Sequence, residues 1–359
     1  MAETPIRLLH ISDIHLGIKP TFFDGSFFDF QIEILRSLLQ RASQQGLSYV
    51  LISGDLFDSN RESDYIVEKT LALFQGFSNL HFIIIPGGGS EYKEEVTGHD
   101  AYTEDSIYKR AIFLNAPSNI HLLTPENPKL TLGDITFYGG FFSLPKTNKS
   151  ESSYHVAVVH GSVGKDDGFI KLHELDQAFY DYIALGHFHK CKRVSQKSAY
   201  AGVLIPFEFP SYFGELKGSY IVVELSRGAV RINEKHLDNS TQFIKRRVDA
   251  LEELKTLLES CHERTFLHLI LPKDFKETVN ELLKAIPQAR RSLKKIDYED
   301  EPSVSLDFFD TLSVVVENFK KERNEEIIEK AEEFIVDILY RRRSLDTIND
   351  FIERVKDEA

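Results

Sequence analysis

Cysteine is scarce in this chain: its 359 residues hold two, Cys191 and Cys261. Two thiols give no disulfide framework, and a reducing, cytoplasmic setting is expected. Long apolar runs are missing. None approaches the roughly 18 residues a spanning helix needs, so no membrane association is expected. The opening Met1-Ala2-Glu3-Thr4-Pro5 has no basic stretch followed by an apolar one, so no signal peptide is expected. There is no low-complexity tract. Positive charge is also short: 43 Lys and Arg stand against 56 Asp and Glu, a net charge of −13. Residues 1–240 carry 22 basic and 29 acidic side chains, and residues 241–359 carry 21 and 27. Neither part is a basic module. This argues against sequence-independent DNA binding, because phosphate contacts need Lys and Arg. Local basic clusters, or a bound pair of divalent cations, can still reverse the field in one cleft.

What is present is an ordinary globular composition, 42% apolar and 28% charged, long enough for two or three domains. Residues 6–12 read as a strand running into Asp13-Ile14-His15. A helix follows over 27–42, with Ile32, Leu35, Leu39 and Ala42 on one stripe. Residues 48–53 form a second strand, ending in Gly54-Asp55-Leu56-Phe57-Asp58. A second helix covers 64–77, and a third strand, 81–86, runs into Gly87-Gly88-Gly89-Ser90. Strands alternating with helices, nearly all apolar, predict a mostly parallel sheet covered on both faces. Ligands bind beyond the carboxyl ends of such strands. A helix is expected over 105–114, and further strands over 119–123, 135–138, 154–159, 182–185, 200–203 and 219–225. The strand at 154 ends in His160-Gly161, and the one at 182 ends in Gly186-His187-Phe188-His189.

Residues i and i+2 of an extended chain point the same way. Asp13 can therefore converge with His15, and His187 with His189. Mixed imidazole and carboxylate donors suit Mn, Fe or Zn better than Mg or Ca. Asp13, His15, Asp55, His160, His187 and His189 are more ligands than one ion needs, which points to a two-metal site with one bridging carboxylate. His10 lies inside its strand and reads as a core histidine or one that orients a ligand. Cys191 reads as a buried thiol.

The set Asp13-x-His15, Gly54-Asp55-x-x-Asp58, Gly98-His99-Asp100, His160-Gly161 and Gly186-His187-x-His189 resembles the calcineurin-like metallophosphoesterases. The stretches 9–17, 53–58 and 184–190, with Tyr200-Ala201-Gly202 and Gly214-Glu215-x-Lys217-Gly218, resemble the SbcD-type DNA double-strand-break repair nucleases. The resemblance implies an α/β fold: a two-sheet αββα metallophosphoesterase sandwich over 1–240, a small α/β capping domain over 241–300 and a helical partner-binding segment over 301–359. It implies one ion on Asp13, His15, Asp55 and His189, and a second on Asp55, His160 and His187. Mn2+ is the expected metal, with Fe or Zn as alternatives. The family places Gly-Asn-His-Asp directly after the third strand. Here Gly-His-Asp comes some ten residues later, which reads as the same motif displaced by an insertion, with Gly98 in place of the Asn and His99 as proton donor. The resemblance further implies DNA as substrate, a homodimer, and docking of the C-terminal helices on an SbcC-type coiled-coil ATPase.

The basic residues Lys190, Lys192 and Arg193 beside the proposed site, and Lys245, Arg246 and Arg247 in the small unit, are suitable phosphate partners. Three functions stay open at this level. One is a metal-dependent DNA nuclease. The second is a phosphoesterase on small nucleotides or other phosphodiesters, favoured by the acidic charge. The third is a weakly active or inactive scaffold for DNA or a partner, favoured by the altered third motif.

Overall fold

The computed structural model describes residues 5–20, 23, 26–87, 100–145, 148–164, 170–210, 213–237 and 240–299. The chain divides into two units, Met1–Tyr298 and Glu299–Ala359. Beyond Glu299 the second unit lies outside the described residues, and with it the expected helices of 301–359.

The first unit opens with β1 (Ile6–Ile11), α1 (Phe27–Gln44), β2 (Tyr49–Ser53), α2 (Asp64–Gln75) and β3 (His81–Ile85). The 3₁₀ turn Ile107–Lys109 and α3 (Ala111–Leu114) lead to β4 (Ile120–Leu122). Next come β5 (Lys129–Leu132), β6 (Ile135–Phe141), β7 (Tyr154–His160), and the short pair β8 (Val163–Gly164) and β9 (Ile170–Lys171). After α4 (Leu172–Gln177) stand β10 (Tyr182–Gly186), β11 (Lys192–Ser195) and β12 (Ser198–Tyr200). β13 (Gly214–Lys217), β14 (Ser219–Ser226) and β15 (Ala229–His236) precede β16 (Gln242–Arg247), α5 (Leu251–Glu259), β17 (Thr265–Pro272), α6 (Lys276–Ala285), α7 (Pro287–Ser292) and β18 (Leu293–Glu299).

Two six-stranded sheets form, ordered β15-β14-β1-β2-β3-β4 and β11-β12-β10-β7-β6-β5. Within the first, β1 to β4 are parallel neighbours. In the second, β6, β7, β10 and β12 are. The period-2 alternation of each strand assigns its two faces. Leu9 and Ile11, Val50 and Ile52, and Phe82 and Ile84 pack with the apolar side chains of α1 and α2. Leu8, Leu51, Ile83 and Ile85 pack instead against Phe137, Val156, Val158, Tyr182 and Ala184 of the second sheet. The far face of that sheet, Ala157, Val159, Ile183 and Leu185, meets Leu175 of α4 and Tyr180. This is the expected αββα sandwich. Ser26 caps α1 by accepting from Asp29 N at 3.1 Å, and Ser63 caps α2 by accepting from Ile66 N at 3.4 Å.

Three expectations change. The helix expected over 105–114 is a 3₁₀ turn followed by a single α turn. Donors here bind outside the element: the Ile107 backbone N–H donates to Asn60 Oδ1, and the Arg110 side chain donates to the carbonyls of Asn60 and Glu62. Those tethers hold Arg110 extended, at φ −72° and ψ 147°, and split the helix. The stretch 297–302, acidic and containing a proline, reads in the sequence as a linker; in the structure its first residues are still strand, as far as Glu299. Strands and helices alternate in the sequence from 243 to 296 as β-α-β-α-β, and the small unit has that plan, but its four-stranded sheet, β13-β16-β17-β18, also takes in β13 from before residue 240. One face, with Leu267, Leu269 and Leu271, covers α5 and α6. Phe243 and Phe266 on the other join the large core. Among the described residues no helix is long and apolar enough to cross a membrane.

Phe82 is fully buried and stacks on Phe74 of α2, ring centroids 4.2 Å apart. Phe82→Ala is expected to cost about 3–5 kcal/mol of unfolding free energy, measured by urea denaturation.

Candidate metal centre

β1, β2, β7 and β10 lie centrally in the two facing sheets. Asp13 and His15 follow β1, Asp55 follows β2, His160 ends β7, and His187 and His189 follow β10. The facing sheets thus bring together side chains far apart in sequence. Asp13, His15, Asp55 and His160 are almost wholly buried. The loops after β1 and β2 are zipped to one another. Ile14 N and His15 N donate to Asp55 O at 2.9 and 3.0 Å, and Leu16 N donates to Leu56 O at 2.9 Å. Across the sheets, His187 N donates to both Asp13 carboxylate oxygens, at 3.1 and 3.2 Å.

Backbone strain marks the site. Asp13, His15, Asp55 and His187 have φ of 49°, 48°, 50° and 102°. Such left-handed backbone is uncommon outside glycine and persists where surroundings enforce it. Phe142, at φ 51°, shares the conformation, and its N–H donates to His160 O at 2.8 Å.

Each of three imidazoles has its Nδ1 engaged from outside. Asp58 Oδ1 lies 3.3 Å from His15 Nδ1, and Glu208 Oε1 lies 3.1 Å from His189 Nδ1. The Ser53 carbonyl accepts from His160 Nδ1 at 2.9 Å. This leaves Nε2 facing inward: those of His15 and His160 are 3.7 and 3.6 Å from Asp55 Oδ2. At His160 and His189 the outer contact is a hydrogen bond, which fixes the tautomer and orientation of a metal-binding histidine; at His15 the Asp58 carboxylate is a close charged neighbour.

Charge points the same way. Burial, with Asp100, Asp13 and Asp58 nearby, pushes the Asp55 carboxyl well above its usual range. Burial also opposes ionisation of Asp13, yet His160, His189 and His15 hold its carboxyl below that range. Burial brings His160 down to about 4, so this imidazole is neutral at pH 7 and has a lone pair to offer. Burial works against a charged His189, but Glu208 and Asp13 lift it above its ordinary value. Among the described residues, Asp55 Oδ1 is buried with no hydrogen-bond partner. A Cβ on Gly87 would stand 1.6 Å from that atom, so only glycine lets the backbone pass this close to it.

These residues fit divalent metal. Two groups have donor atoms within 4.8 Å of one another: Asp13 with His15 and His189, and Asp13 with Asp55 and His160. Asp13 is common to both, whereas the family resemblance gives that bridging place to Asp55. His187 belongs to neither group. Its side chain is exposed, with its ring 5.2 Å from that of His160. His99 lies outside the described residues. Asp100, from the same short motif, is buried at the end of β3 and accepts from Gly87 N at 2.7 Å.

Several contributors were not singled out in the sequence. Gln31 of α1 is fully buried, donates to the carbonyls of Ile14 and His15, and accepts from Gly17 N. A glutamine amid Phe27, Phe28, Phe30, Ile34 and Leu35 was the available signal. Glu208 and Phe207 had none; the Phe207 ring stands edge-on to His15 and His189. Of the basic candidates, Lys190, Lys192 and Arg193 are exposed beside the site. Arg193 donates to the carbonyls of Ser195 and Gln196. Lys245 lies over Phe213, Arg246 faces Glu253 at 3.7 Å, and Arg247 faces Asp249 at 3.1 Å. Cys191 is half-buried, and burial pushes its thiol up to about 12.

His10 is the core histidine expected. It bridges the sheets, with Tyr182 OH on Nδ1 and Ser53 Oγ on Nε2, both at 2.8 Å. Burial lowers it to about 3. The unfolded chain, with its histidine near 6.5, then binds a proton that the folded one refuses. Stability from this group is therefore complete above pH 6.5 and declines as pH falls towards 3, by up to about 1.4 kcal/mol per pH unit. Urea unfolding between pH 7 and 4 should show a shallower decline in His10→Gln than in wild type.

Residues 6–191, just over half of the chain, match the calcineurin-like phosphoesterase family. No curated protein matches the chain significantly. The family match falls on the two sheets and on the strand ends that carry Asp13, His15, Asp55, His160, His187 and His189. The chain belongs to the calcineurin-like phosphoesterases, a family of metal-dependent hydrolases.

Proposed function

We propose that the chain is a metal-dependent DNA nuclease that hydrolyses phosphodiesters at a two-ion centre. It acts in DNA repair in the cytoplasm, as a homodimer working with an SbcC-type coiled-coil ATPase. The observation that carries the hydrolytic reading is the convergence of Asp13, His15, Asp55, His160 and His189 at the ends of four facing strands, with the imidazole Nδ1 atoms tied back. Two divalent ions, Mn2+ in this reading, would supply Lewis-acid polarisation of the phosphodiester and an activated water. Asp13, shared by both donor groups, would bridge. Asp58, the Ser53 carbonyl and Glu208 hold the three imidazoles so that Nε2 faces the ions. His187, exposed at the rim, completes the second ion's set. His99 is the proton donor to the leaving oxygen in this reading. Lys190 and Lys192, exposed beside His189, would meet the DNA backbone, as would Arg193 once released from its own turn.

A second reading, hydrolysis of small phosphodiesters, draws on the pairing of Arg246 with Glu253 and Arg247 with Asp249, which offsets the basic candidates of the small unit.

The test is Mn2+-dependent cleavage of linear duplex DNA by the purified chain, alone and with an added SbcC-type ATPase. Asp55→Ala should remain folded and lose roughly a hundredfold or more of the turnover, since metal ions supply several kcal/mol at the transition state. His99→Ala should also fall strongly. Turnover of bis(p-nitrophenyl) phosphate with no DNA cleavage in either mixture would favour the second reading. Absence of bound metal and of any cleavage, with ATPase binding kept, would leave a scaffold.

A further inference from the structure

The end of β3 is held against the metal centre by one carboxylate. Asp100, wholly buried, accepts from Gly87 N on Oδ1 at 2.7 Å. Its Oδ2 accepts from Phe57 N at 3.0 Å and from Tyr108 OH in a short hydrogen bond. Phe57 is two residues past Asp55, so Asp100 joins the turn after β2 to the turn after β3. The position of Gly87 matters because its backbone lies against Asp55 Oδ1, which has no hydrogen-bond partner among the described residues: a Cβ there would be 1.6 Å from that oxygen and 2.8 Å from Asp100 Oδ1. A small shift of Gly87 closes or opens the space beside a candidate ligand atom.

Of the three donors to Asp100 among the described residues, two are backbone. The third is the Tyr108 hydroxyl, itself firmly placed. Tyr108 is 1% exposed, with its ring against Phe57 and edge-on to Phe113, at 6.1 and 4.8 Å between centroids. Its 3₁₀ turn is tethered by Ile107 N on Asn60 Oδ1, and the Asn60 amide donates to Ala101 O at 2.8 Å. Burial and the Asp100 charge hold the phenol well above its usual range, so it remains a donor.

We propose that Tyr108 is a positioning residue of the metal centre: through Asp100, its hydroxyl fixes Gly87 against Asp55 and so sets the room an ion has beside that carboxylate. This rests on the metal-centre reading given above. A tyrosine that merely satisfies its hydroxyl in the core would influence stability and nothing else. One that positions the site also sets metal affinity and turnover.

The test titrates the full-length chain with Mn2+ by calorimetry, wild type beside Tyr108→Phe, and follows turnover of bis(p-nitrophenyl) phosphate. The phenylalanine keeps the ring packing and removes only the hydroxyl. The expected result is a folded variant that binds Mn2+ about ten- to a hundredfold more weakly, the range found when an outer hydrogen bond to a metal site is lost. The kcat should fall in parallel, with KM changed by less than about twofold. A folded variant with a lower Tm but unchanged Mn2+ affinity and kcat overturns the proposal. If Tyr108→Phe does not fold, the isosteric Asp100→Asn takes the same measurements with the same expectation and the same overturning result. Wild-type protein that binds no Mn2+ would sink the metal-centre reading itself, and the role of Tyr108 with it. Wild-type binding with unchanged variants sinks the clamp alone.

Discussion

Asp13 and Asp55 are two buried carboxylates held side by side, 0% and 3% exposed, and the charged groups acting on Asp55 are further carboxylates. Burying like charges together is unfavourable unless one is protonated or a cation stands between them. The rest of the site follows from that constraint. The imidazoles of His15, His160 and His189 lower the cost for Asp13. For Asp55 the surroundings raise it. A divalent cation is the counter-charge that removes the conflict, and a protein built around it is less comfortable without it.

The scaffold supplies rigidity where the constraint demands it. Four of the six candidate ligands sit at left-handed φ. Strained backbone survives because the two loops are zipped through Asp55 O and Leu56 O and pinned from α1 by Gln31. The outer partners of the imidazoles come from three sources: an aspartate after β2, a strand carbonyl and a glutamate after β12. Spreading the supports over both sheets couples their packing to the geometry of the centre, so a shift of one sheet against the other would misplace donors. His10, hydrogen-bonded across the same interface, resists that shift.

Much of this architecture was legible beforehand. The alternation of apolar strands and helices carried the layered fold, and the spacing of Asp13 with His15 and of His187 with His189 marked strand ends where donors gather. The helix expected over 105–114 failed because Ile107 and Arg110 bind to the 60–62 turn, a tertiary tether that periodicity does not register. The extra strand β13 was invisible for a similar reason: Gly214–Lys217 is too short to declare a partner, and its register with β16 is chosen by the fold.

By itself the sequence determined which residue types stand at the strand ends and in what order, and hence that the chemistry is imidazole and carboxylate chemistry on a parallel α/β frame. Only the tertiary structure decided which nitrogen of each imidazole faces inward, that Asp13 is the carboxylate common to both donor groups, that His187 stands at the rim, and that Asp100 and Tyr108 hold Gly87 against Asp55. The physical reason is that hydrogen bonds and Coulomb forces act over a few ångströms of space. The partners that orient these groups are set next to them by sheet packing, and adjacency in the chain carries no record of it.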